Sequence, residues 1–247
     1  RLATGEPYIV FSDTVNRSMP QHQRELGLSV RQSNLCSEIM LHTGVDHLGH
    51  DRTAVCCLSS VNAEKFMEWR DHPTFVEDVM RFLDNVLQDF IDSAPADMKN
   101  AAYAAMRERS VGLGLMGFHS FLQMQNVPFE SALAKSWNMR LFKHLRRQCD
   151  TASRVLAEER GPCPDAADRG VMERFSHKLA IAPTASISII CGGTSAGIEP
   201  IPANIYTHKT LSGTFAVKNP YLERILDEKG KNTSSVWDSI LENEGSV

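Results

Sequence analysis

Asn34, Cys36 and Glu38 are three polar residues at alternate positions of one short segment. If the segment from Ser33 to Leu41 is an extended strand, their side chains share one face, about 7 Å apart in turn. An amide, a thiol and a carboxylate on one face resemble a working surface more than a core, because burying Asn and Glu without partners is costly. A solvent-exposed strand face that happens to carry a cysteine explains the spacing equally well.

A second extended segment, from Ala54 to Leu58, carries two adjacent cysteines. Neighbours in a strand face opposite sides, so only one of Cys56 and Cys57 can face the surface that carries Cys36. An adjacent pair is also badly placed to close a disulfide on itself. The alternative is a buried and inert cysteine pair, since free Cys behaves as a small hydrophobic residue.

Hydroxyl groups are concentrated in the run Ala182-Pro-Thr-Ala-Ser-Ile-Ser188. Proline at a first helical position, flanked by Thr and Ser, is typical of a helix start. Backbone N–H groups at such a start also suit a phosphate. From the residues alone, a plain helix start and a phosphate site both remain open.

Hydrophobic periodicity predicts the elements that position these segments. Alternating strands and long helices indicate an α/β architecture. In the amphipathic helix from Phe75 to Phe90, Phe82 and Val86 are expected to be buried. In the helix from Ser131 to Arg160, Leu133 is expected to be buried. The predicted extended segments are Tyr8–Phe11, Ser33–Leu41, Ala54–Leu58, Lys178–Ile181 and Tyr206–Phe215, with a turn-rich stretch over Ser12–Ser29. The other predicted helices are Ser131–Arg160, Tyr221–Lys229 and Val236–Glu242.

Two further patterns are interpreted as structural. The run Gly112-Leu-Gly-Leu-Met-Gly117 spells a dinucleotide fingerprint, but the residues before it look helical and no acidic residue stands about 20 positions later, which favours close helix packing. A loop from His42 to Arg52 is rich in His and Asp, but its spacing fits no zinc pattern, so a surface turn is expected.

Composition limits the classes of function. The 247 residues include 26 basic and 30 acidic ones, scattered along the chain, for a net charge of −4. No basic stripe is available for a nucleic-acid backbone. Six cysteines are too sparse for a secreted disulfide scaffold, and no apolar run reaches the roughly 20 residues that span a bilayer. A cytoplasmic protein without a nucleic-acid or membrane partner is predicted.

The cysteine segments resemble one enzyme family. The run Arg31-Gln-Ser-Asn-Leu-Cys-Ser-Glu-Ile39 resembles the signature strand of class I, aerobic ribonucleotide reductase large subunits. The run from Ala54 to Asn62 is similar to the next strand of that family, which carries a redox-active cysteine. Matching the Leu, Ser and Asn that follow places that cysteine at Cys56, which would leave Cys57 structural.

The Pro183 segment extends this resemblance. Pro183-Thr-Ala-Ser-Ile187 is similar to the family's diphosphate-binding loop, although many members have Thr or Ser where this chain has Ile187. Gly197-Ile-Glu-Pro200 resembles its companion segment. With Arg109-Ser-Val-Gly-Leu-Gly114 and Asn204-Ile-Tyr-Thr207, the resemblance covers nearly the whole chain.

The resemblance implies radical reduction of ribonucleoside diphosphates to deoxyribonucleoside diphosphates. Cys36 would be the thiyl radical that takes the 3′ hydrogen, and Glu38 the base that handles the 3′ hydroxyl proton. Asn34 would hold the substrate hydroxyls, and Cys56 would be half of the dithiol that becomes a disulfide in each turnover. The implied substrate-binding residues are Ser33, Asn34, Leu35, Cys36, Glu38, Pro183, Thr184, Ala185, Ser186 and Ile187.

The implied fold is α/β, part of a ten-stranded α/β barrel with the catalytic cysteine at its centre, of which residues 1–247 form the C-terminal part. The subunit would bind no metal or cofactor and would depend on the metal-generated radical of a small subunit. ATP and deoxynucleotide effectors would bind outside this stretch. Other implied partners are a second large subunit, in a homodimer, and thioredoxin or glutaredoxin as reductant.

In this family the partner thiol of Cys56 lies on an earlier strand, and no cysteine precedes Cys36 in this chain. The chain is therefore expected to be a piece of a longer polypeptide and inactive in isolation. Two alternatives stay open. One is another barrel-type radical reductase, anaerobic or cobalamin-dependent, and the other is a nucleotide-binding module without catalysis.

Overall fold

The computed structural model describes residues 2–247, which divide into two compact units. The first unit takes in the described residues up to Val61, together with Glu68–Gly114 and Arg140–Ala182. The second unit comprises Asn62–Met67, Leu115–Met139 and Pro183–Val247. Within the described residues, no helix is both long and apolar enough to cross a membrane.

The strands of the described residues form three two-stranded sheets, which pair β1 with β2, β3 with β4 and β5 with β6. These strands do not form a closed barrel, so the central position of Cys36 in a barrel stays a prediction. The strands are β1 Gly44–Val45, β2 Asp51–Arg52, β3 Leu58–Asn62, β4 Gly112–Met116, β5 Ile205–Thr210 and β6 Gly213–Lys218. The helices are α1 Ser12–Ser18, α2 Gln21–Glu25, α3 Phe66–Trp69, α4 Phe75–Ser93, α5 Lys99–Glu108, α6 Phe118–Met124, α7 Ala132–Arg160, α8 Pro164–Ala167, α9 Ile187–Ile190, α10 Pro220–Glu228 and α11 Ser234–Glu242.

The predicted N-terminal strand over Tyr8–Phe11 is wrong, because this segment is exposed and pairs with no strand among the described residues. The stretch Ser12–Ser29, predicted as turns, instead holds α1 and α2. The Asn16 side chain fixes α1 in place, since its Oδ1 accepts from Val30 N at 2.8 Å and its Nδ2 donates to Val30 O at 2.9 Å. A small apolar cluster beneath it contains Met19, Leu28 and Val30.

Helix α4 is confirmed, but its buried stripe is rotated from the predicted one. Phe82 and Val86, expected inward, are 61% and 43% exposed. The buried positions are Val76, Met80, Leu83, Asp84 and Leu87. Asp84 lies on this buried stripe with its carboxylate paired to three arginines, Arg109, Arg160 and Arg174.

The Asp84 cluster is the charged centre of the first unit. Its carboxylate accepts from Arg109 Nη2 at 2.7 Å, Arg160 Nη1 at 2.7 Å and Arg174 Nε at 3.0 Å. Burial alone would raise the pKa of Asp84, but the bonds and charges of these arginines hold it below its ordinary value. The cluster therefore joins α4, the end of α5 and the end of α7 through one buried anion.

Helix α7 is also confirmed, and Gly161, with a φ of +84°, follows its last residue. Leu141, Leu145 and Leu156 are buried as predicted, whereas Leu133 is exposed. Leu133 lies in the first turn of the helix, where Ala134 is buried in its place. The apolar stripe therefore begins one residue later than expected.

In the Gly112–Gly117 run, Gly112 and Gly114 lie in β4 and Gly117 directly precedes α6, so the predicted close helix packing is wrong. Leu113 N donates to Lys178 O at 2.9 Å, and Leu113 pairs with Leu179 in a parallel bridge. The predicted strand Lys178–Ile181 is therefore confirmed as extended only at Leu179. A Cβ on Gly114 would lie 2.3 Å from Ala180 O. Glycine is required because two backbone segments approach each other here.

The His- and Asp-rich loop, predicted as a surface turn, is a hairpin of β1 and β2 with a buried anion. Asp46 accepts from Arg52 Nε at 2.9 Å and from the N–H groups of Leu48 and His50. Burial raises the pKa of Asp46, but these hydrogen bonds outweigh burial and hold it well below its usual range. The two terminal nitrogens of the Arg52 guanidinium donate to the two carboxylate oxygens of Asp165. This pair attaches the hairpin to the start of α8.

The second unit ends in a hairpin and two helices. The predicted extended segment Tyr206–Phe215 is interrupted, because β5 turns back into β6 through Leu211 and Ser212. Helices α10 and α11 confirm the two predicted C-terminal helices. Their core contains Leu226, Trp237 and Ile240.

Candidate active site

The segment with Asn34, Cys36 and Glu38 is a tight turn and not a strand. Ser37 N donates to Asn34 O at 3.1 Å, and Ser37 has a φ of +66°. The alternation that placed the three side chains on one face is therefore wrong. Leu35, at 89% exposure, and the exposed Cys36 lie at the tip of the turn.

The turn still brings the amide and the carboxylate together. Asn34 Nδ2 donates to Glu38 Oε2 at 2.7 Å, while Asn34 Oδ1 accepts from Ile39 N at 3.1 Å. Ser33 Oγ donates to Ile39 O at 2.8 Å. Asn34 thus closes the turn and fixes the Glu38 side chain, and Glu38 and Cys36 line the same recess.

Cys56 and Cys57 do not lie in a strand, because β3 begins only at Leu58. They nevertheless face opposite ways: Cys56 is exposed, and Cys57 is buried with its Sγ 3.7 Å from Leu83 O. Burial raises the pKa of the Cys56 thiol, and the electrostatic influence of Glu38 and Cys36 adds to the rise.

Two recesses of the first unit meet at Glu38. One is open and is lined by Cys36, Ser37 and Glu38 together with Phe142 and other apolar side chains. The other is a cavity of about 220 Å³ that Glu38 shares with Ser110 and His177. An acid or base at this position can therefore contact a substrate on one side and buried polar groups on the other.

The run Pro183–Ile187 belongs to the second unit. Thr184 is buried with a φ of +55°, and its Oγ1 accepts from Gly197 N at 2.7 Å. That bond ties the loop to the Gly197-Ile-Glu-Pro200 segment. Ser188 N donates to Thr184 O at 3.0 Å and starts the short helix α9, so a helix start is confirmed. The other four residues of the run, Pro183, Ala185, Ser186 and Ile187, are exposed.

The structure thus brings Asn34, Cys36, Glu38 and Cys56 together, with Ser33 and Leu35 in the same turn. The cavity that Glu38 lines adds two polar groups that were not predicted from the sequence, Ser110 and His177. Ser110 stands inside the motif Arg109–Gly114, but its partner His177 is 67 positions away, and no local pattern joins them. Among the described residues, no group of three or more His, Cys, Asp or Glu could hold a metal ion.

Glu108→Gln is expected to remove a pH dependence of folding stability. Burial raises the pKa of Glu108 from 4.5 to about 7, so the folded protein holds its proton more tightly than the unfolded chain. The resulting stabilisation is fully present below pH 4.5 and is lost as the pH rises through about 7.

Glutamine resembles the neutral carboxyl group and does not titrate. The free energy of unfolding of the variant should therefore rise relative to the wild type by up to about 3 kcal/mol between pH 4.5 and pH 8. Urea unfolding of both proteins across this range measures the difference. Parallel pH curves for the two proteins would contradict the prediction.

Comparison with known proteins gives a consistent picture. The family model described as the ribonucleotide reductase barrel domain matches residues 1–171 and 165–247. The ribonucleoside-diphosphate reductase large subunit of Invertebrate iridescent virus 3 is 47% identical over 250 residues, which cover 100% of this chain and 39% of the relative. The large subunit of Caenorhabditis elegans is 29% identical over 279 residues, covering 100% of this chain and 34% of the relative.

A solved structure extends the similarity to three dimensions. The Actinobacillus ureae class Id ribonucleotide reductase alpha subunit matches with a TM-score of 0.89 and 38% identity, over 99% of this chain and 44% of that chain. These matches support the barrel-type fold, although the described strands do not close a barrel. The chain spans about two fifths of the length of the viral relative and of the solved alpha subunit.

Proposed function

The chain belongs to the ribonucleotide reductase barrel-domain family, and from this premise we propose that it carries the active site of a class I ribonucleoside-diphosphate reductase large subunit. The proposed reaction is the reduction of ribonucleoside diphosphates to 2′-deoxyribonucleoside diphosphates, the precursors of DNA. The observation that carries the proposal is the Asn34–Glu38 bond across a turn that exposes the Cys36 thiol, with Cys56 alongside.

In the proposed reaction Cys36, as a thiyl radical, takes the hydrogen atom from C3′ of the ribose and becomes a thiol. Glu38 accepts the proton of the 3′ hydroxyl, and Asn34 positions the substrate hydroxyls. The 2′ hydroxyl leaves as water with a proton from the dithiol of Cys56 and its partner. The second hydrogen and the two electrons of the dithiol reduce C2′ as the dithiol becomes a disulfide. Glu38 returns its proton to the 3′ oxygen, and Cys36 returns the hydrogen atom to C3′ and is again a thiyl radical.

The structure supports this division of roles in two ways. The raised pKa of Cys56 keeps it a thiol, which is the form that can give a proton and then an electron pair. The bond from Asn34 orients the Glu38 carboxylate before substrate arrives, and such preorganisation favours proton transfer. Ser33 and Leu35 belong to the same turn and would contact the substrate beside Cys36.

Pro183–Ile187 is proposed to bind the substrate diphosphate. The Thr184 Oγ1 accepts from Gly197 N and so shapes the loop, which leaves Ser186 as the exposed hydroxyl for a phosphate oxygen. Ala185 and Ser186 precede the first turn of α9, where backbone N–H groups favour anions. Ile187 would contribute its backbone only.

The proposed surroundings follow the family. A small subunit would supply a metal-generated radical to Cys36, a second large subunit would form a homodimer, and thioredoxin or glutaredoxin would return electrons to the disulfide. ATP and deoxynucleotide effectors would bind outside residues 1–247, which would be the C-terminal part of the barrel domain. The chain itself would hold no metal, and the enzyme would act in the cytoplasm.

A single-turnover experiment tests this function and the role of Cys56 together. The prereduced complete polypeptide that carries this chain is mixed with its small subunit and a ribonucleoside diphosphate, without external reductant. Close to one deoxynucleotide should form for each competent site, with loss of the Cys56 thiol. Acid quenching, alkylation and mass spectrometry measure that loss.

Cys57 is the internal control for this experiment, because its buried thiol should stay reduced and become alkylated only after unfolding. Oxidation of Cys57 in place of Cys56 would overturn the assignment of the redox thiol. Tight diphosphate binding without any product would favour a nucleotide-binding module, and product formation without a small subunit would favour another reductase class.

A further inference from the structure

The start of α6, with Gly117 before it, is bonded to the segment that follows α9, and both belong to the second unit. Gly117 N donates to Ser195 O at 2.7 Å, and Phe118 N donates to Gly197 O at 3.4 Å. Two serines, 0% and 5% exposed, add a reciprocal pair, in which Ser120 N donates to Ser195 Oγ at 3.1 Å and Ser195 N donates to Ser120 Oγ at 2.9 Å. These bonds attach residues 195–197 to the first turn of α6.

The segment attached to α6 in turn holds the run Pro183–Ile187. Gly197 N donates to Thr184 Oγ1 at 2.7 Å, and Thr194 N donates to Ser188 O at 3.1 Å. Thr184 needs such support, because its φ of +55° lies in a region that a β-branched residue rarely adopts. A residue strained in this way persists only where its surroundings hold it. The conformation of Thr184 is therefore sustained, through Gly197, by the bonds to α6.

Apolar packing around the run is incomplete. Ala185, Ser188 and Ile189 line an open cavity of about 330 Å³, which Thr194 and Ser195 also line. Side chains beside such a space lose part of the contacts that fix a close-packed core. Hydrogen bonds, more than packing, therefore set the conformation of the run.

We infer that the reciprocal Ser120–Ser195 pair holds the run Pro183–Ile187 in the shape that binds the diphosphate before the substrate arrives. Ser120 and Ser195 are thus positioning residues, while the exposed Ser186 is the hydroxyl proposed to contact the phosphate. The inference rests on the proposed function, since it takes this run as the diphosphate site. It adds that a buried pair at the start of α6 sets part of the affinity for substrate.

The pair acts on the cost of ordering the run. A loop that already has its bound shape loses little conformational entropy on binding, so its affinity is higher. Ser120→Ala leaves the N–H of the buried Ser195 without its acceptor, and Ser195→Ala does the same to Ser120 N. Either change loosens residues 195–197 and lets Thr184 leave its strained φ. The binding-competent shape is then only partly populated, which weakens the apparent affinity in proportion.

The test compares KM with kcat in the complete polypeptide with its small subunit. In Ser120→Ala and in Ser195→Ala, KM for a ribonucleoside diphosphate should rise by about fivefold or more, while kcat stays within about twofold of the wild type. Equilibrium dialysis of the complete polypeptide with the same diphosphate should show a matching rise in Kd. A fall in kcat with an unchanged KM would place the two serines in a different role and reject the inference.

Ser153→Ala is the matched control. Ser153 is also a buried serine whose Oγ accepts backbone N–H bonds, from Arg174 at 3.1 Å and from Phe175 at 3.3 Å, but it belongs to the first unit. This variant loses the same kind of bond and should keep the wild-type KM and Kd. A KM within about twofold of the wild type in both Ser120→Ala and Ser195→Ala would overturn the inference, and so would an equal rise in Ser153→Ala.

Hydrogen exchange followed by mass spectrometry measures the run directly. Peptides that cover residues 183–197 should exchange faster in Ser120→Ala and Ser195→Ala than in the wild type, and bound diphosphate should remove most of the difference. Peptides of α4 should exchange at the wild-type rate, which shows that the variants are folded. Faster exchange over α4 as well would indicate a general loss of stability and reject the inference.

The binding measurement separates this inference from the proposed function. If the wild type binds the diphosphate but forms no deoxynucleotide, and the two variants bind it more weakly, the function is rejected and the role of the pair is kept. If the enzyme is active and its Kd is unchanged in both variants, the role of the pair is rejected and the function is kept.

Discussion

Cys36→Ser is expected to abolish deoxynucleotide formation while the protein still binds a ribonucleoside diphosphate. The turn that presents Cys36 is closed by Asn34, Ser37 and Glu38, so a serine at its exposed tip should not disturb the fold. A serine hydroxyl does not replace a thiol as a hydrogen-atom carrier, because its O–H bond is much stronger than S–H. Product assay with the small subunit, beside equilibrium binding of the diphosphate, measures the two properties separately.

Cys191→Ser provides the control, because Cys191 is also an exposed free thiol and has no part in the proposed chemistry. Its activity should stay within about twofold of the wild type, in line with the small effect of most surface substitutions. Measurable turnover by Cys36→Ser would remove Cys36 from the reaction and with it the proposed function.

Asp84→Ala is expected to have the largest effect on stability, a loss of about 3–5 kcal/mol in the free energy of unfolding. The side chain of Asp84 is 1% exposed and is bonded to Arg109, Arg160 and Arg174. Without the carboxylate, Arg109 and Arg174 remain buried as uncompensated charges, and that cost dominates. Unfolding by urea or heat measures the loss.

Asp89→Ala, five residues later in the same helix, is the control. Asp89 is exposed, so its removal should change the stability by no more than about 0.5 kcal/mol. A loss below about 1 kcal/mol for Asp84→Ala would show that the arginines find water or other partners. In that case the Asp84 cluster would not be what stabilises the packing of α4, the helix that Cys57 contacts.

The long helices could be predicted from the sequence because their signal is local. An apolar residue every three or four positions identifies α4 and α7 whatever they pack against. The face that α4 buries depends on Asp84 and arginines 25 to 90 positions later, which no local period contains. The same limit hid the pairing of Ser110 with His177.

The segment with Asn34, Cys36 and Glu38 shows the opposite case, in which the predicted local structure was wrong although the three residues still lie in one turn. Polar residues at positions 34, 36 and 38 fit the period of two that a strand requires. A turn that is closed by an Asn side chain can carry polar residues at the same positions. A segment forms a strand only when a neighbouring strand takes up its backbone hydrogen bonds. Here Ser37 N donates instead to Asn34 O within the same segment. The resemblance to a family identified these residues without requiring their conformation.

The contrast between Cys56 and its buried neighbour bears on the fidelity of the redox cycle. A thiol attacks a disulfide only as the thiolate, and with a pKa of about 11 the Cys57 side chain is ionised in about one molecule in 10⁴ at pH 7. The disulfide proposed to form at Cys56 would therefore be kinetically protected from exchange with Cys57. Burial of one sulfur atom would thus let two adjacent cysteines differ in function, with only Cys56 taking part in the proposed electron transfer.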